Sequence, residues 1–342
     1  MSHGAIDAVI MWVDGADPVL AEKRRQYLAD PGLPGAAATR FASSDEVIWC
    51  TLSILRFAPF FRRIFFVTDN QTPPVFDAVQ HHFPDQAHKM SVVDHREIFA
   101  GYEEFLPAFN SSTISQMLHR IPGLADRFVY FNDDFFLMRP TTPEDYFAGD
   151  TPVLRGDWAG RKLRRKLRVK QFLRATPLGR YMKNPLSSIP RQIASAAAVG
   201  CDRPFVAAHA PYPIRRAVME EFERTQPQAF RKNLGYRFRH PAQPVPEALA
   251  NHLEIKAGNF AFPPEGASAT HVYIDLSRNS LARIRRRLAR VEQDSSRKFL
   301  CVQSMDFDNP ERHKLVRDWL DNWIVAPIHS DPAKVNGTDE RS

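Results

Sequence analysis

Residues 6–13, Ile-Asp-Ala-Val-Ile-Met-Trp-Val, form a nearly unbroken apolar run rich in β formers. Such a run suits a strand covered on both faces of a sheet. A helix start follows, with Asp17 as cap and Pro18 at the first position, and the helix runs toward Leu28. A Pro/Gly/Ala loop from Asp30 to Ala38 precedes a second helix, opened by Ser44-Asp45-Glu46. There Val47, Ile48, Cys50, Leu52, Ile54 and Leu55 cover much of the circumference, which predicts burial on several sides. Ala58-Pro59 ends that helix. Ile64–Val67, Met90–Val93 and Phe128–Phe131 predict three more strands, the first closed by Asn70–Pro74. Asn110 to Leu118 predicts a helix with an Asn cap, ended before Ile121-Pro122-Gly123. The alternation predicts an α/β domain with a mostly parallel sheet.

Beyond residue 156 the pattern changes. Strand signals thin out and a basic stretch, 161–170, appears. The expected organisation is a core in 1–156, a basic helical insertion in 157–200, a largely helical second half in 201–326 and a frayed tail in 327–342.

Composition narrows the class. At 342 residues there is room for one large domain or two medium ones, with an ordinary globular balance of 44% hydrophobic and 25% charged residues. No apolar run approaches the ~20 residues that a membrane helix needs. The first residues lack the basic start and apolar stretch of a secretory signal, so the expectation is a cytoplasmic chain. Cys50, Cys201 and Cys301 are odd in number and form no CxxC pair, which argues against a disulfide framework or a thiolate zinc site. Cys50 reads as a small core residue.

A formal charge of +7 favours polyanionic partners: nucleic acid, anionic lipid or phosphorylated small molecules. The lack of zinc-finger spacing, of a Gly-rich RNA-binding signature and of heptads argues against nucleic acid. The basic runs 161–170 and Arg283–Arg287 read as solvated faces. The first also carries Leu163, Leu167, Phe172 and Leu173, which suit an amphipathic helix resting on an anionic membrane surface, peripheral at its inner face.

Each predicted strand is followed by an acidic residue: Asp14, Asp69, Asp94 and the pair Asp133-Asp134. In an open parallel sheet the carboxyl ends of the strands share one edge, where ligands bind. Carboxylates gathered there need a cation, a proton or basic partners. A Mg²⁺ (or Mn²⁺) ion on a diphosphate would supply that. Asp is also common after strands as a turn former or helix cap, and Asp94 reads that way. For Asp14, in Trp12-Val13-Asp14-Gly15-Ala16-Asp17-Pro18, both readings stand. Asn132-Asp133-Asp134, framed by aromatic residues, reads as functional, because consecutive charges in an aromatic run are costly unless they face a ligand.

A second constellation is basic. His209-Ala210-Pro211-Tyr212-Pro213-Ile214-Arg215-Arg216 and Tyr236-Arg237-Phe238-Arg239-His240 place imidazoles beside guanidinium forks. These suit phosphate oxygens and proton exchange with a hydroxyl. His119-Arg120, at a helix end, reads either as a structural cation or as a phosphate contact. His81, His82, His88 and His95 have no matching company and read as surface residues.

These strings resemble the Stealth proteins. Ile6 to Pro18 is similar to the family's first conserved region. Arg40-Phe41, Ser44-Asp45-Glu46, Ser53-Ile54-Leu55, Ala58-Pro59, Ile64 to Pro73, and Phe109-Asn110-Ser111 through His119-Arg120 to Tyr130-Phe131-Asn132-Asp133-Asp134-Phe135-Phe136-Leu137 resemble the second. His209-Ala210-Pro211-Tyr212-Pro213, Arg215-Arg216 and Arg237-Phe238-Arg239 resemble the third. Lys298-Phe299-Leu300-Cys301 is similar to the lead-in of the fourth, but Gln303-Ser304 stands where the family usually has Asn-Asp. That puts the fourth region's role in doubt, or hands it to Asp306 or Asp308.

The resemblance implies a Rossmann-like, GT-A-like core that binds a UDP- or GDP-linked sugar and a glycan acceptor, which can be lipid-linked. It implies attack by an acceptor hydroxyl on the β-phosphate, with transfer of sugar-1-phosphate and release of a nucleoside monophosphate, in capsular or exopolysaccharide synthesis. On this reading Asp133 or Asp134 is metal ligand or base, and His209 is general acid/base or phosphate donor. Arg40, Arg215 and Arg237 hold diphosphate oxygens, and Asp14 binds sugar or nucleotide. Gly15, Asp17, Asp45, Asp69, Asn110, His119, Arg120, Asn132 and Arg239 complete the candidate substrate contacts. Two other readings remain: a metal-dependent glycosyltransferase releasing a nucleoside diphosphate, and a non-catalytic glycan-binding scaffold.

Overall fold

The computed structural model describes residues 4–28, 45–161, 163, 165, 169, 188–305 and 309–328. Arg40, Asp306, Asp308, most of the basic stretch 161–170 and the tail from 329 lie outside the described residues.

The expected strands form as β1 (Ile6–Met11), β2 (Ile64–Thr68), β3 (Met90–Asp94) and β4 (Arg127–Asn132). β1 and β2 are enclosed on both faces, as their apolar runs require. The chain then makes β5 (Phe135–Leu137), β6 (Phe147–Ala148), β7 (Thr151–Pro152), β8 (Gly156–Trp158), β9 (Phe205–Ala207), β10 (Tyr212–Arg215), β11 (His271–Asp275) and β12 (Phe299–Gln303). The main sheet has the order β10-β4-β1-β2-β3. β4, β1, β2 and β3 are mutually parallel, and β10 is antiparallel at the edge beside β4. The order 3-2-1-4 is that of a Rossmann-like, doubly wound sheet, whose ligand edge lies at the strand carboxyl ends.

The second half is helical, as expected, through Ser188–Ala198, Arg216–Thr225, Pro227–Leu234, Pro246–Ala257, Leu281–Gln293 and Pro310–Leu320. The pattern does not announce the strands among these helices. β10 joins the main sheet, and β12 pairs antiparallel with β5 and parallel with β11 to make a second sheet. Two turn residues, Asp133 and Asp134, therefore separate the end of a main-sheet strand from the start of a second-sheet strand. Phe135, Phe136 and Leu137 are fully buried, so the aromatic frame around the two carboxylates is core.

Local signals were accurate at several helix ends. Asp17 accepts from the Val19 amide at 2.8 Å and caps Pro18–Gln26. Asn110 accepts from the Ser112 amide, but the helix it caps is only Ser111–Ser115, followed by a 3₁₀ turn at Leu118–Arg120. The Arg283–Arg287 run lies on Leu281–Gln293, which buries Ile284, Leu288 and Val291 and exposes Arg283, Arg285 and Arg286. Among the described residues no helix is long and apolar enough to cross a membrane. All three cysteines are free, and Cys50 is buried in Glu46–Phe57.

One charged residue lies inside the first strand. Asp7, inside the apolar β1 run, is fully buried, and Arg62 holds it with bonds of 2.9 and 2.6 Å while the Ala125 amide donates at 2.7 Å. A buried charge is tolerated because it is fully hydrogen-bonded.

Candidate active site

A crevice of about 1150 Å³ opens along the carboxyl ends of the main-sheet strands. Its floor takes Met11 at the end of β1 with Trp12 and Val13 after it, Val67 and Asp69 around the end of β2, His95 after β3, and Tyr130 and Asn132 from β4. The second sheet adds Tyr273 and Asp275 from β11 and Val302 and Gln303 from β12. The two sheets thus deliver their strand ends to one space, and the Asp133-Asp134 corner stands where they meet.

That corner is electrostatically unsettled. Burial, with the neighbouring Glu46 carboxylate, pushes the Asp133 carboxyl up to about 7. Burial, Asp133 and Glu46 raise Asp134 well above the carboxylate range. Among the described residues Asp134 Oδ1 is buried without a hydrogen-bond partner, and Oδ2 accepts from the Cys301 thiol at 3.6 Å. Both thiols near the corner, Cys50 and Cys301, are held neutral by burial and by these carboxylates. Three carboxyl groups in a poorly solvated space repel one another unless a proton or a cation intervenes. Glu46 escaped the sequence reading, which took it as a helix opener; its place in the first turn, where an acidic residue favours the helix end, carried no sign that it would turn inward.

A divalent cation fits this chemistry in part. Asp133 and Asp134 offer hard oxygens, one of them unpartnered. Among the described residues no group of three His, Cys, Asp or Glu side chains is arranged to hold a metal by itself. Mg²⁺ bound through one or two carboxylates and a substrate diphosphate needs no such set.

His209 also reaches the crevice. Its ring stacks on Tyr273, with centroids 4.7 Å apart and planes 20° apart. Burial lowers its pKa, and the Asp275 carboxylate opposes that shift. Tyr273 donates from its hydroxyl to Gln303 Oε1 at 2.6 Å. Asp275 lies opposite Gln303 in the β11–β12 register and accepts from the Ser277 amide and hydroxyl. Ser304, which lines the crevice, takes a left-handed backbone with φ 62°.

The other candidates divide. Asp69 lines the crevice and is paired with Lys23 at 2.7 Å. Asn132 lines it and accepts a short hydrogen bond from the Tyr130 hydroxyl. Asn110 and Arg239 line it as well. Asn110 donates to Tyr236 O and Gln243 Oε1, and Arg239 donates to Ser111 Oγ at 2.7 Å. Asp14, Gly15, Asp17 and Asp45 are not among the lining residues. Gln71 ties the loop after β1 together by accepting from the Asp14 amide and donating to Asp14 O and Asp17 Oδ2. Asp45 stands at the helix N-terminus with φ 65°. Asp94 is a helix cap in a capping box with Glu97, as the turn reading had it.

Arg215, Arg237, His119 and Arg120 are not brought to the crevice. Arg215 pairs with Arg127 in the β10–β4 register, five residues from Asn132, or about 17 Å at ~3.4 Å per residue. Its guanidinium binds Glu254 in a bidentate pair at 2.7 and 2.8 Å. Arg237 lies over the Tyr27 ring. His119 is buried between Gln116 O and Glu223, and Arg120 joins the same Glu223 and the Ile98 and Ala100 carbonyls. His95 is the reverse case: expected at the surface, it is buried and lines the crevice, and burial lowers its pKa to about 4.

The fold and the site define an α/β, Rossmann-like protein with a carboxylate-lined crevice at its strand ends. Residues 40–153 match Stealth conserved region 2 and residues 208–246 match Stealth conserved region 3. The chain belongs to the Stealth family. Two exopolysaccharide phosphotransferases of Streptomyces coelicolor are 33% and 31% identical to it, the first over 81% of this chain and 44% of its own length, the second over 94% and 55%. A capsular polysaccharide phosphotransferase of Actinobacillus suis is 38% identical over 42% of this chain and 38% of its own length. The chain therefore spans about half the length of the two Streptomyces relatives. Among solved structures, the galactosyltransferase LgtC with donor and acceptor sugar analogues superposes with a TM-score of 0.46 at 10% identity, covering 94% of this chain and 97% of that one. The bifunctional glycosyltransferase WbbM also gives 0.46, at 12% identity, covering 97% and 51%.

Proposed function

We propose that the chain transfers a sugar-1-phosphate from a UDP- or GDP-linked sugar to a hydroxyl of a glycan acceptor in capsular or exopolysaccharide synthesis. The acceptor oxygen attacks the β-phosphorus, the bond from that phosphorus to the bridging oxygen breaks, and UMP or GMP leaves. The product is a phosphodiester. The observation that carries this reading is the Asp133-Asp134 corner, which lines the crevice of about 1150 Å³ and holds a buried Asp134 oxygen without a hydrogen-bond partner among the described residues.

Phosphoryl transfer asks the protein for alignment and charge neutralisation rather than covalent chemistry. Asp133 and Asp134 would hold Mg²⁺ or Mn²⁺, which when bound would neutralise diphosphate charge and the repulsion at the corner. Whichever of the two carboxylates is not on the cation would accept the acceptor-hydroxyl proton. His209, held neutral by burial and fixed on Tyr273, is placed to exchange a proton or to donate to a phosphate oxygen. Arg278, ion-paired with Asp275 at 3.3 Å at the crevice rim, offers a guanidinium to the phosphates in place of Arg215 and Arg237.

The test is the nucleotide released when purified protein, Mg²⁺, UDP- or GDP-sugars and capsular glycan fragments are mixed. UMP or GMP with a phosphodiester product is expected. Release of UDP or GDP would replace this reading with ordinary glycosyl transfer.

A further inference from the structure

A second wall of the same crevice is built by Ser111–Ser115, Ser188–Ala198 and the start of Pro246–Ala257, and nothing above gives it a task. Three of its side chains make a graded polar surface. Ser115 Oγ donates to Glu247 Oε2 across a long 3.4 Å. Arg239 reaches the same wall through Ser111 Oγ at 2.7 Å. Behind them, Arg191 is buried and donates to Ser112 Oγ at 2.6 Å and to Gln243 O at 3.1 Å, which fixes the wall's backing. Glu247 lies close enough to Tyr130 and Tyr212 to act on their hydroxyls, and Asp133 and Asp134 act on Tyr130 as well. The two tyrosines stack at 5.8 Å, and both feel Glu247 on one side and Asp134 on the other.

Charge decides what such a wall can hold. The Glu247 carboxylate is answered on this wall by the Arg239 and Arg191 guanidiniums, so the wall is polar and mixed in sign, while the donor's phosphates belong nearer the Asp133-Asp134 corner and the cation it would hold. Hydroxyl, carboxylate and guanidinium groups side by side offer alternating acceptors and donors. A sugar ring, whose hydroxyls both donate and accept, matches that alternation.

We propose that Ser115, Glu247 and Arg239 form the acceptor-sugar subsite, occupied by a neutral hexose unit with adjacent hydroxyls directed at the Glu247 carboxylate. This rests on the sugar-phosphate transfer proposed above and names where the acceptor sits.

The test uses the whole chain with UMP and a panel of methyl hexosides: glucoside, galactoside, mannoside and N-acetylglucosaminide. Saturation-transfer NMR reads hexoside binding, and calorimetry with UDP and GDP reads the donor side. Wild type is expected to bind at least one hexoside. Glu247→Gln should weaken that binding about tenfold, the loss of a charge-assisted hydrogen bond, and Ser115→Ala about threefold. UDP or GDP affinity should stay within about twofold, as expected for a subsite apart from the phosphates. Hexoside binding that is absent in wild type, or unchanged in both variants, overturns the subsite, as does loss of nucleotide affinity with hexoside binding intact. Failure of wild type to bind either nucleotide would instead count against the transfer reading, whatever the hexosides do.

Discussion

Two clusters in this chain looked alike in sequence and are opposites in structure. His119-Arg120 and Asn132-Asp133-Asp134 both set polar or charged residues at the end of an apolar element. In the first, every group is met: His119 lies between a carbonyl and Glu223, Arg120 bonds Glu223 and two carbonyls, and the Tyr102 hydroxyl closes the set on Glu223 at 2.9 Å. In the second, carboxylates meet carboxylates and one oxygen meets nothing. A satisfied cluster holds a fold together. A cluster of carboxyl groups crowded together in a crevice, with raised pKa values, is a candidate for chemistry.

Substitutions separate the two. The largest effect is expected from Asp134→Asn, which should lower the transfer rate about a thousandfold or more if the corner does the chemistry. Protein that folds as well as wild type but retains full rate would erase the contrast. His209→Ala should follow, with a loss of about a hundredfold carried by kcat. Glu223→Gln should do the reverse. It strips the partner from His119 and Arg120, so stability should fall by about 2 kcal/mol while the rate of the surviving enzyme holds within about threefold. Urea unfolding beside a rate measurement reads both.

The pH dependence sharpens the comparison further. Asp133 ionises near 3.8 in the unfolded chain and at about 7 when folded. The unfolded state therefore gives up its proton first, and stability falls as pH rises between these values and stays reduced above about 7. In magnesium-free buffer, Asp133→Asn should melt several degrees above wild type at pH 8, and the difference should vanish near pH 4. The smallest effect is at His95. Its folded pKa of about 4 lies below the ordinary 6.5, so it costs stability as pH falls through that interval, and His95→Gln should flatten the acid limb of a melting-temperature profile.

How much of this could be read from the chain depends on the range of the cause. Apolar runs such as 6–11 and 64–68 are local causes, and they gave β1 and β2 with their acidic ends on one edge. The Asp17 and Asn110 caps are local as well. The second sheet was invisible because β5 has three residues and finds its partner, β12, more than a hundred and fifty positions away. Asp7 hid in an apolar run because Arg62 and Ala125, which satisfy it, are supplied from elsewhere. For the same reason Arg215 looked like a phosphate ligand: nothing in its neighbourhood in sequence reveals Glu254, or that β10 runs antiparallel and carries it to the wrong end of the sheet. His95 failed in the other direction: it directly follows β3 at the crevice, where the chain buries it.

Phosphorus NMR of the glycan product tests the role of the Asp133-Asp134 corner most directly. Wild type and Glu223→Gln, given the same nucleotide-sugar, Mg²⁺ and acceptor, should both build a phosphodiester resonance that Asp134→Asn does not. A diester formed equally well by Asp134→Asn, or a product glycan from wild type that contains no phosphorus, would contradict it.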